Sequence, residues 1–335
     1  MIKKIMAISL ILIAIFITGC GDDSSNEKKV AIAFPNTTPS WQRNGDSMKK
    51  NLEEEGFSVD LQFSANSNEQ VNQVKDILET KPSCLVIGAI DGDAFVEVLE
   101  KAKEDKIPII AFDRIINKTD AVNYYASFDN EAIGEAMGEY IEATLNLKSG
   151  EGSYNIEFFA GAPSDNNAHL FFKNTMAILE PYLKSGKLVC QSKQTTFDAV
   201  AVADWNSANA KTRIKELLDK YYNSGQVLNA VLSPNDEIAG VILDEMKSRN
   251  MAVPIISGLD ADPAAISRIK AGQQTFTISK DPDLLTSKCV RMIKAVVEGT
   301  EPDINDVSTY NNGVKVIPAY LCTPYIIDSG NVNQQ

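Results

Sequence analysis

From residue 29 onward, the chain alternates short apolar runs with amphipathic helical patterns. Segments 70–80 and 94–102 repeat apolar residues at helical spacing, and in the first of them Val74 and Ile77 share one face. The strand-like apolar runs in this half lie at 30–34, 59–63, 84–89, 107–112 and 122–127. This βαβα order predicts a mostly parallel sheet covered by helices on both faces.

The same rhythm begins again after a helical pattern at 131–145. Further strand-like runs lie at 154–160, 188–191, 227–233, 253–257 and 275–279, with helical patterns between them. No low-complexity linker separates the two halves. The predicted fold class is therefore α/β, with two doubly wound, Rossmann-like lobes that are closely coupled.

The first residues have the pattern of an export signal. Lys3 and Lys4 precede an apolar run at 5–17, which is followed by Thr18, Gly19 and Cys20. The run is too short for a membrane-spanning helix. The segment 17–20 resembles the lipobox of bacterial lipoproteins, which implies a signal peptide at 1–19 and a lipidated Cys20 on a flexible tether at 20–28. The alternative is a plain signal peptide with a chance cysteine.

Length and charge narrow the function classes. The 335 residues suffice for two lobes with substantial cores. Removing residues 1–19 would delete Lys3 and Lys4 and no acidic residue, so the net charge of −13 would become −15. A protein this acidic repels nucleic acid and anionic lipid, so we expect membrane contact through the lipid anchor only.

Four cysteines follow Cys20; Cys84 and Cys190 lie in strand-like runs and Cys289 in a helical pattern, so buried thiols that act as small apolar residues are expected. The fourth is Cys322. Export permits disulfides, and a pairing of Cys289 with Cys322 stays open because connectivity cannot be derived from sequence.

Polar side chains follow the predicted strands, at the sheet edge where open α/β folds bind ligands. They offer the mixture of donors and acceptors that a neutral polyol needs, and two tryptophans could pack against the C–H faces of a sugar ring. Taken singly, such residues also serve as turns and helix caps; Asp236 and Asp262 fit capping best. The candidate ligand-binding residues are Trp41, Asp113, Arg114, Asp165, Asn166, Asn167, Trp205, Asn235, Asp260 and Lys280.

Five stretches of the chain together resemble the sugar-binding branch of the type I periplasmic binding proteins, specifically the xylose-binding and multiple-aldose-binding proteins. The stretches are 124–130, 160–168, 179–187, 258–262 and 310–318. The resemblance assigns the family's sugar contacts to the same ten candidate residues. This chain departs from the family's pattern at Ser40, where relatives usually carry arginine. Arg43 is a possible substitute for that arginine. His169 is expected at the rim.

The resemblance also implies an architecture and partners. Crossing segments are expected near 128–130, 278–280 and 316–320, dividing the chain into a first lobe of 29–128 plus 280–315 and a second of 129–279 plus 316–328. The lobes would close by a hinge over an aldose such as xylose, glucose, galactose or arabinose. An extracytoplasmic, membrane-anchored monomer would then deliver the sugar to the permease of an ABC importer, and a chemoreceptor or sensor kinase is a further possible partner.

Competing functions have weaker support. Segments 47–50, 164–166 and 184–186 mimic the three motifs of serine penicillin-recognising enzymes, but the last of them ends a helix instead of lying on a strand. No glycine-rich nucleotide loop and no His/Cys cluster is present, so neither a cofactor nor a metal is predicted, and an enzyme is not expected. A sensor of the same fold, or a binder of a nucleoside or furanosyl signal, stays open.

Overall fold

The computed structural model describes residues 28–36 and 39–334. The predicted signal peptide, Cys20 and nearly all of the tether therefore lie outside the described residues. The strands are β1 (Lys29–Pro35), β2 (Ser58–Ser64), β3 (Cys84–Ile87), β4 (Ile109–Phe112), β5 (Val122–Phe128), β6 (Tyr154–Phe158), β7 (Leu188–Val189), β8 (Ala230–Leu232), β9 (Ile255–Ile256), β10 (Phe276–Ser279), β11 (Ala319–Cys322) and β12 (Tyr325–Asp328).

Helices alternate with these strands along most of the chain. They are α1 (Pro39–Glu54), α2 (Ser67–Glu79), α3 (Val96–Glu104), α4 (Asn130–Thr144), α5 (Asn166–Ser185), α6 (Phe197–Val200), α7 (Ser207–Tyr221), α8 (Asp236–Ser248), α9 (Pro263–Lys270) and α10 (Pro282–Glu298). No helix in the described part of the chain is both long enough and apolar enough to cross a membrane.

The first lobe is built on a six-stranded sheet in the order β11-β5-β4-β3-β1-β2, in which every pairing is parallel. The inner strands β1, β3 and β4 are buried along most of their length. Apolar clusters cover both faces of the sheet, as expected for a parallel sheet covered by helices on both sides. The βαβα prediction is confirmed here.

The second lobe repeats this arrangement with shorter strands. Its parallel sheet has the order β7-β6-β8-β9, and the antiparallel pair β10-β12 continues it through a bridge between Leu259 and Ile278. The strands begin later than the apolar runs do: Val227 and Val253, which open two of the predicted strands, are 55% and 51% exposed. Each valine lengthens the apolar run in the sequence, but it forms no strand pairing, so the strand itself begins later.

The last crossing between the lobes differs from the predicted one. We placed a crossing at 316–320 and assigned 316–328 to the second lobe, but β11 pairs with β5 in the first sheet and only β12 joins the second. The chain therefore crosses at 323–324. Ile317 and Ala319 pack into the core of the first lobe, which holds this segment there. The chain also passes between the lobes at Asp129 and at 280–281.

The cysteines that the structure describes are all free and buried. Cys289 and Cys322, whose pairing the sequence left open, are therefore both thiols in this structure. Burial raises the pKa of the Cys322 thiol to about 11, and it also raises that of Cys289 well above its ordinary value. Both groups stay neutral and pack as small apolar side chains.

Candidate functional site

The carboxyl ends of strands from both lobes face each other across a cleft. A cavity lies there, between the two lobes. It is lined by Ser40, Trp41, Asp113, Arg114, Asp165, Asn167, Phe171, Trp205, Asn235, Leu259, Asp260 and Lys280. Residues more than two hundred positions apart in the sequence thus meet at one place, which we call the central cavity.

Nearly all the candidate residues line this cavity; Asn166 is the one that does not. Asn166 opens α5, and its neighbours Asp165 and Asn167 face the cleft in its place. The sequence missed Phe171 and Leu259 because a search for hydroxyl-binding groups passes over apolar residues. The signal for Phe171 was its helical spacing, one turn after Asn167 on the same face.

Trp41 forms the wall of the cavity on the first lobe. Its ring packs edge-on against Phe34 and Phe112, with centroids 5.3 Å and 6.3 Å away, and only 5% of the residue is exposed. A Cβ at Gly88 would lie 2.5 Å from the ring, so only glycine permits this position. The guanidinium of Arg114 lies 5.5 Å from the ring centroid. These contacts fix the orientation of the indole.

Trp205 forms the corresponding wall on the second lobe. Its ring lies against Gly161, where a Cβ would overlap it, and its Nε1 donates to Asp165 Oδ2 at 3.2 Å. The backbone of Trp205 has φ 56°, a left-handed conformation that is unfavourable for a bulky residue. Such strain concentrates at ligand sites. Each tryptophan therefore rests on a glycine that follows a strand of its own lobe.

Hydrogen bonds join the two lobes across the cavity. Arg114 Nε lies 3.0 Å from Asp165 Oδ2, and both side chains are nearly buried. Asn167 Nδ2 donates to the backbone oxygen of Asp113 at 2.8 Å. Arg114 Nη1 also donates to the backbone oxygens of Ala89 and Ile90, which orients the guanidinium from behind. The lobes are therefore in contact, in a closed arrangement.

Lys280 lies between two carboxylates at the hinge. Its Nζ is 3.2 Å from Asp113 Oδ1 and 3.5 Å from Asp260 Oδ1. Burial acts to lower the pKa of Lys280, but the attraction of Asp113 and Asp260 outweighs it and raises that pKa above its ordinary value. Burial raises the pKa of Asp260, and the positive charge of Lys280 opposes this rise. The cluster places a fixed cation between two acceptors.

The helix-capping prediction at the site is wrong for Asp236, whereas Asp262 does occupy the N-cap position of α9. Asn235 caps α8, because its Oδ1 accepts from Ile238 N at 2.9 Å, and Asp236 is buried below it. Asp236 accepts from Thr277 Oγ1 and Gln274 Nε2, each at 2.8 Å. Asp262 makes no side-chain cap. The two side chains that donate hydrogen bonds to Asp236 lie about 40 residues away in the sequence, so a capping rule based on neighbouring residues cannot identify them.

Asp236 gives the protein a specific pH dependence. Burial raises its pKa to about 7, from an ordinary value of 3.8. Between these values the folded state binds more protons than the unfolded state, so the free energy of unfolding falls as pH rises, by up to ~1.4 kcal/mol per pH unit from this group. We expect the melting temperature of D236N to fall less steeply between pH 5 and 7 than that of the wild type. Equal slopes would contradict this assignment.

Arg43 and His169 contact residues outside the central cavity. Arg43 Nη2 lies 3.5 Å from Asp262 Oδ1, an ion pair that joins the lobes near the surface. His169 stacks on Phe197 with centroids 3.8 Å apart and hydrogen-bonds to the backbone oxygen of Pro163. Arg43 therefore does not occupy the central cavity in place of an arginine at Ser40.

The three segments that mimic a penicillin-recognising enzyme serve other contacts. Ser47 lies within α1 and hydrogen-bonds to Asp283 and Thr286 on α10. The 184–186 segment ends α5, as predicted, with Gly186 in the left-handed conformation of a helix C-cap. Lys184 forms an exposed ion pair with Glu180. None of these contacts links Ser47 or Lys184 to Asp165 in the cleft.

Comparisons with known proteins agree with this geometry. The model of the family described as periplasmic binding protein domain matches residues 30–301. The chain is 38% identical over 334 residues to a multiple sugar-binding periplasmic protein of Azospirillum brasilense, with 97% of this chain and 92% of that protein covered. It is 34% identical to the D-xylose-binding periplasmic protein of Escherichia coli, with 87% and 84% covered.

Two solved structures of sugar-bound solute-binding proteins are similar to this chain in fold and sequence. An ABC transporter solute-binding protein from Clostridium phytofermentans with bound β-D-glucose has a TM-score of 0.89 and 37% identity, with 92% of this chain and 96% of that chain covered. A carbohydrate transporter solute-binding protein from Chloroflexus aurantiacus in complex with D-glucose has a TM-score of 0.82 and 28% identity, with 91% and 94% covered.

Proposed function

Because this chain belongs to the periplasmic binding protein family, among its sugar-binding members, we propose that it binds one aldose monosaccharide between its lobes and delivers it to an ABC importer. The observation that carries the proposal is the central cavity, where carboxylates, amides, a guanidinium and two tryptophans from both lobes converge. The relatives and solved neighbours are named as binders of xylose, glucose or multiple sugars, which supports the same ligand class. The family consists of solute-binding proteins.

Each part of the cavity suits a different part of a sugar. Trp41 and Trp205 offer flat apolar surfaces, one on each lobe, for the C–H groups of the ring. Asp113 and Asp260 accept hydrogen bonds from hydroxyls, and Lys280 donates to them. An unpartnered hydroxyl that is removed from water costs about 1–3 kcal/mol, so this dense set of polar groups favours a polyol over an apolar ligand.

We propose that closure is the signal that the importer reads. The Arg114–Asp165 pair and the Asn167 bond to Asp113 join lobes that would separate when the hinge opens. A ligand that touches both lobes stabilises the closed state, because it gains its full set of contacts only there. A permease that recognises the closed surface would thereby select loaded protein.

We further propose that the mature protein is a monomer held at the outer face of the cell membrane by a lipid on Cys20. The supporting observation is the sequence pattern of 1–28 alone, because Cys20 lies outside the described residues. Mass spectrometry of the membrane-extracted protein would measure the mass of a diacylglyceryl group on Cys20. An unmodified N-terminus in the membrane fraction would contradict the anchor. A chemoreceptor or sensor kinase as second partner stays a proposal of the same kind.

A ligand screen tests the proposed function. Purified protein with residues 1–19 removed is heated with D-xylose, D-glucose, D-galactose or L-arabinose, and with nucleosides and amino acids as controls. We expect at least one aldose to raise the melting temperature, because a ligand at a thousandfold excess over its Kd stabilises the folded state by about 4 kcal/mol. A shift with a nucleoside or an amino acid, and with no aldose, would contradict the proposal.

A further inference from the structure

The loop at 258–262 carries a residue of the central cavity in an unfavourable backbone conformation. The loop connects β9 to α9 and includes Asp260, which lines that cavity. Asp260 has φ 91°, and the next residue, Ala261, has φ 51°. Residues with a side chain rarely adopt positive φ, and alanine has no polar group that could compensate for it locally. Contacts with the surrounding structure must therefore hold this loop in place.

Asp236 supplies several of those contacts from the buried side of the loop. Its backbone N–H donates to Leu259 O at 3.0 Å, and its Oδ2 accepts from Asp262 N at 3.0 Å. Its carboxylate also lies against Gly258, where a Cβ would be 1.9 Å from Oδ1. Only 1% of Asp236 is exposed. Asp236 therefore contacts the loop at both of its ends.

Thr277 extends this support to the middle of the loop. Its hydroxyl donates to Asp236 Oδ2 at 2.8 Å and accepts from Ala261 N at 3.3 Å. A threonine hydroxyl has one proton and two lone pairs, so it can make both bonds at once. Thr277 lies on β10 and is fully buried. The N–H groups of the two residues that follow Asp260 are thus bound by a hydroxyl and a carboxylate that also bind each other.

Neither Asp236 nor Thr277 is among the residues that line the central cavity. We propose that both are positioning residues for aldose binding, because they hold the 258–262 loop in the conformation that presents the Asp260 carboxylate to the sugar. This inference rests on the proposed function, in which Asp260 accepts hydrogen bonds from sugar hydroxyls. Asp260 Oδ1 lies 3.5 Å from Lys280 Nζ in this conformation. A loop without its support would relax toward negative φ, and the carboxylate would leave that place.

The loop carries a second carboxylate, Asp262, which faces a different partner. It pairs with Arg43 of the first lobe at 3.5 Å, and both side chains are at least one-third exposed. Exposed ion pairs of this kind contribute little. The effect of the loop on sugar binding should therefore act mainly through Asp260.

Substitutions at Thr277 test this inference, since a change at Asp236 would also alter a buried charge. T277V keeps the shape of the side chain and removes the hydroxyl, whereas T277S keeps the hydroxyl and removes a methyl group. Each variant is titrated in calorimetry with those aldoses of the ligand screen that the wild type binds. We expect T277V to bind them about tenfold more weakly than the wild type, and T277S to restore most of that affinity.

A double-mutant cycle with D260N identifies the residue through which Thr277 acts. In the D260N background, T277V should weaken binding by at most about twofold, because the carboxylate that the loop presents is already gone. A purely structural role of Thr277 would give the same loss in both backgrounds. A tenfold loss that persists beside D260N would therefore overturn the inference.

The matched control is T175V. Thr175 lies on α5 and is also fully buried, and its hydroxyl donates to Gly134 O at 2.8 Å. T175V should lower the melting temperature and leave sugar affinity as in the wild type. Wild-type affinity in T277V, or an equal loss of affinity in T277V and T175V, would also count against the positioning role. Failure of every aldose to bind the wild type would instead contradict the proposed function.

Discussion

Replacing Asp260 with asparagine is expected to weaken aldose binding about a hundredfold while leaving the protein folded. Asp260 follows the second-lobe strand β9, lines the central cavity and lies 3.5 Å from Lys280 Nζ. A hydrogen bond to an ionised carboxylate is roughly twice as strong as a neutral one, so an amide of the same size recovers only part of it. Asp260 has φ 91°, and asparagine tolerates positive φ better than most residues do. The fold should therefore persist.

Calorimetry with the aldose identified in the ligand screen measures this effect, and far-ultraviolet circular dichroism checks folding. D244N is the matched control, because Asp244 lies exposed on α8 and the substitution removes the same charge away from the cleft. We expect D244N to bind like the wild type. A D260N affinity within about twofold of the wild-type value would remove Asp260 from the ligand-binding set; the hundredfold loss corresponds to about 2.7 kcal/mol.

The G161A substitution is expected to weaken aldose binding by about ten- to a hundredfold through Trp205. The new methyl group would overlap the indole ring, and the neighbouring atoms are a rigid aromatic system that cannot yield locally. The ring would have to leave the cavity wall and lose its hydrogen bond to Asp165. Burial of a large apolar side chain against a ligand contributes about 1.5–3 kcal/mol, which sets the size of the effect.

Two measurements identify Trp205 as the cause. Calorimetry gives the affinity, and intrinsic fluorescence reports the environment of Trp205, because the chain has only one other tryptophan, Trp41. G240A serves as the control: this glycine lies in α8, and a methyl group there would meet the flexible end of Arg268 at 3.1 Å. If G161A retained both wild-type affinity and a wild-type emission spectrum, the position of the Trp205 ring against Gly161 would not matter for binding.

Rules based on neighbouring residues identified a cavity residue from the sequence where its position directly after a strand determines its role. Asp113 and Asp260 could be selected from the sequence because each follows a buried apolar run, and parallel strands bring their carboxyl ends to one edge. The structure does bring both to Lys280. Their left-handed backbones, at φ 59° and 91°, carried no sequence signal, because neither is glycine.

The same rules failed where partners distant in sequence compete for one group. By local chemistry, Asp236 and Asn235 are equally good helix caps. Asn235 is the cap because Thr277 and Gln274 donate hydrogen bonds to the Asp236 carboxylate. β11 joins the first sheet because its apolar residues pack into the core of that lobe. β12 begins only three residues later and pairs in the second sheet. Neither outcome is encoded within a window of a few residues.

Hydrophobic periodicity alone determined that this protein has two α/β lobes with polar residues at the strand ends, because burial on both faces of a parallel sheet dictates that pattern. Tertiary structure decided which polar groups meet and which tryptophan packs against which glycine. These features depend on distances between residues that lie far apart in the sequence, and such distances are set only once the chain has folded.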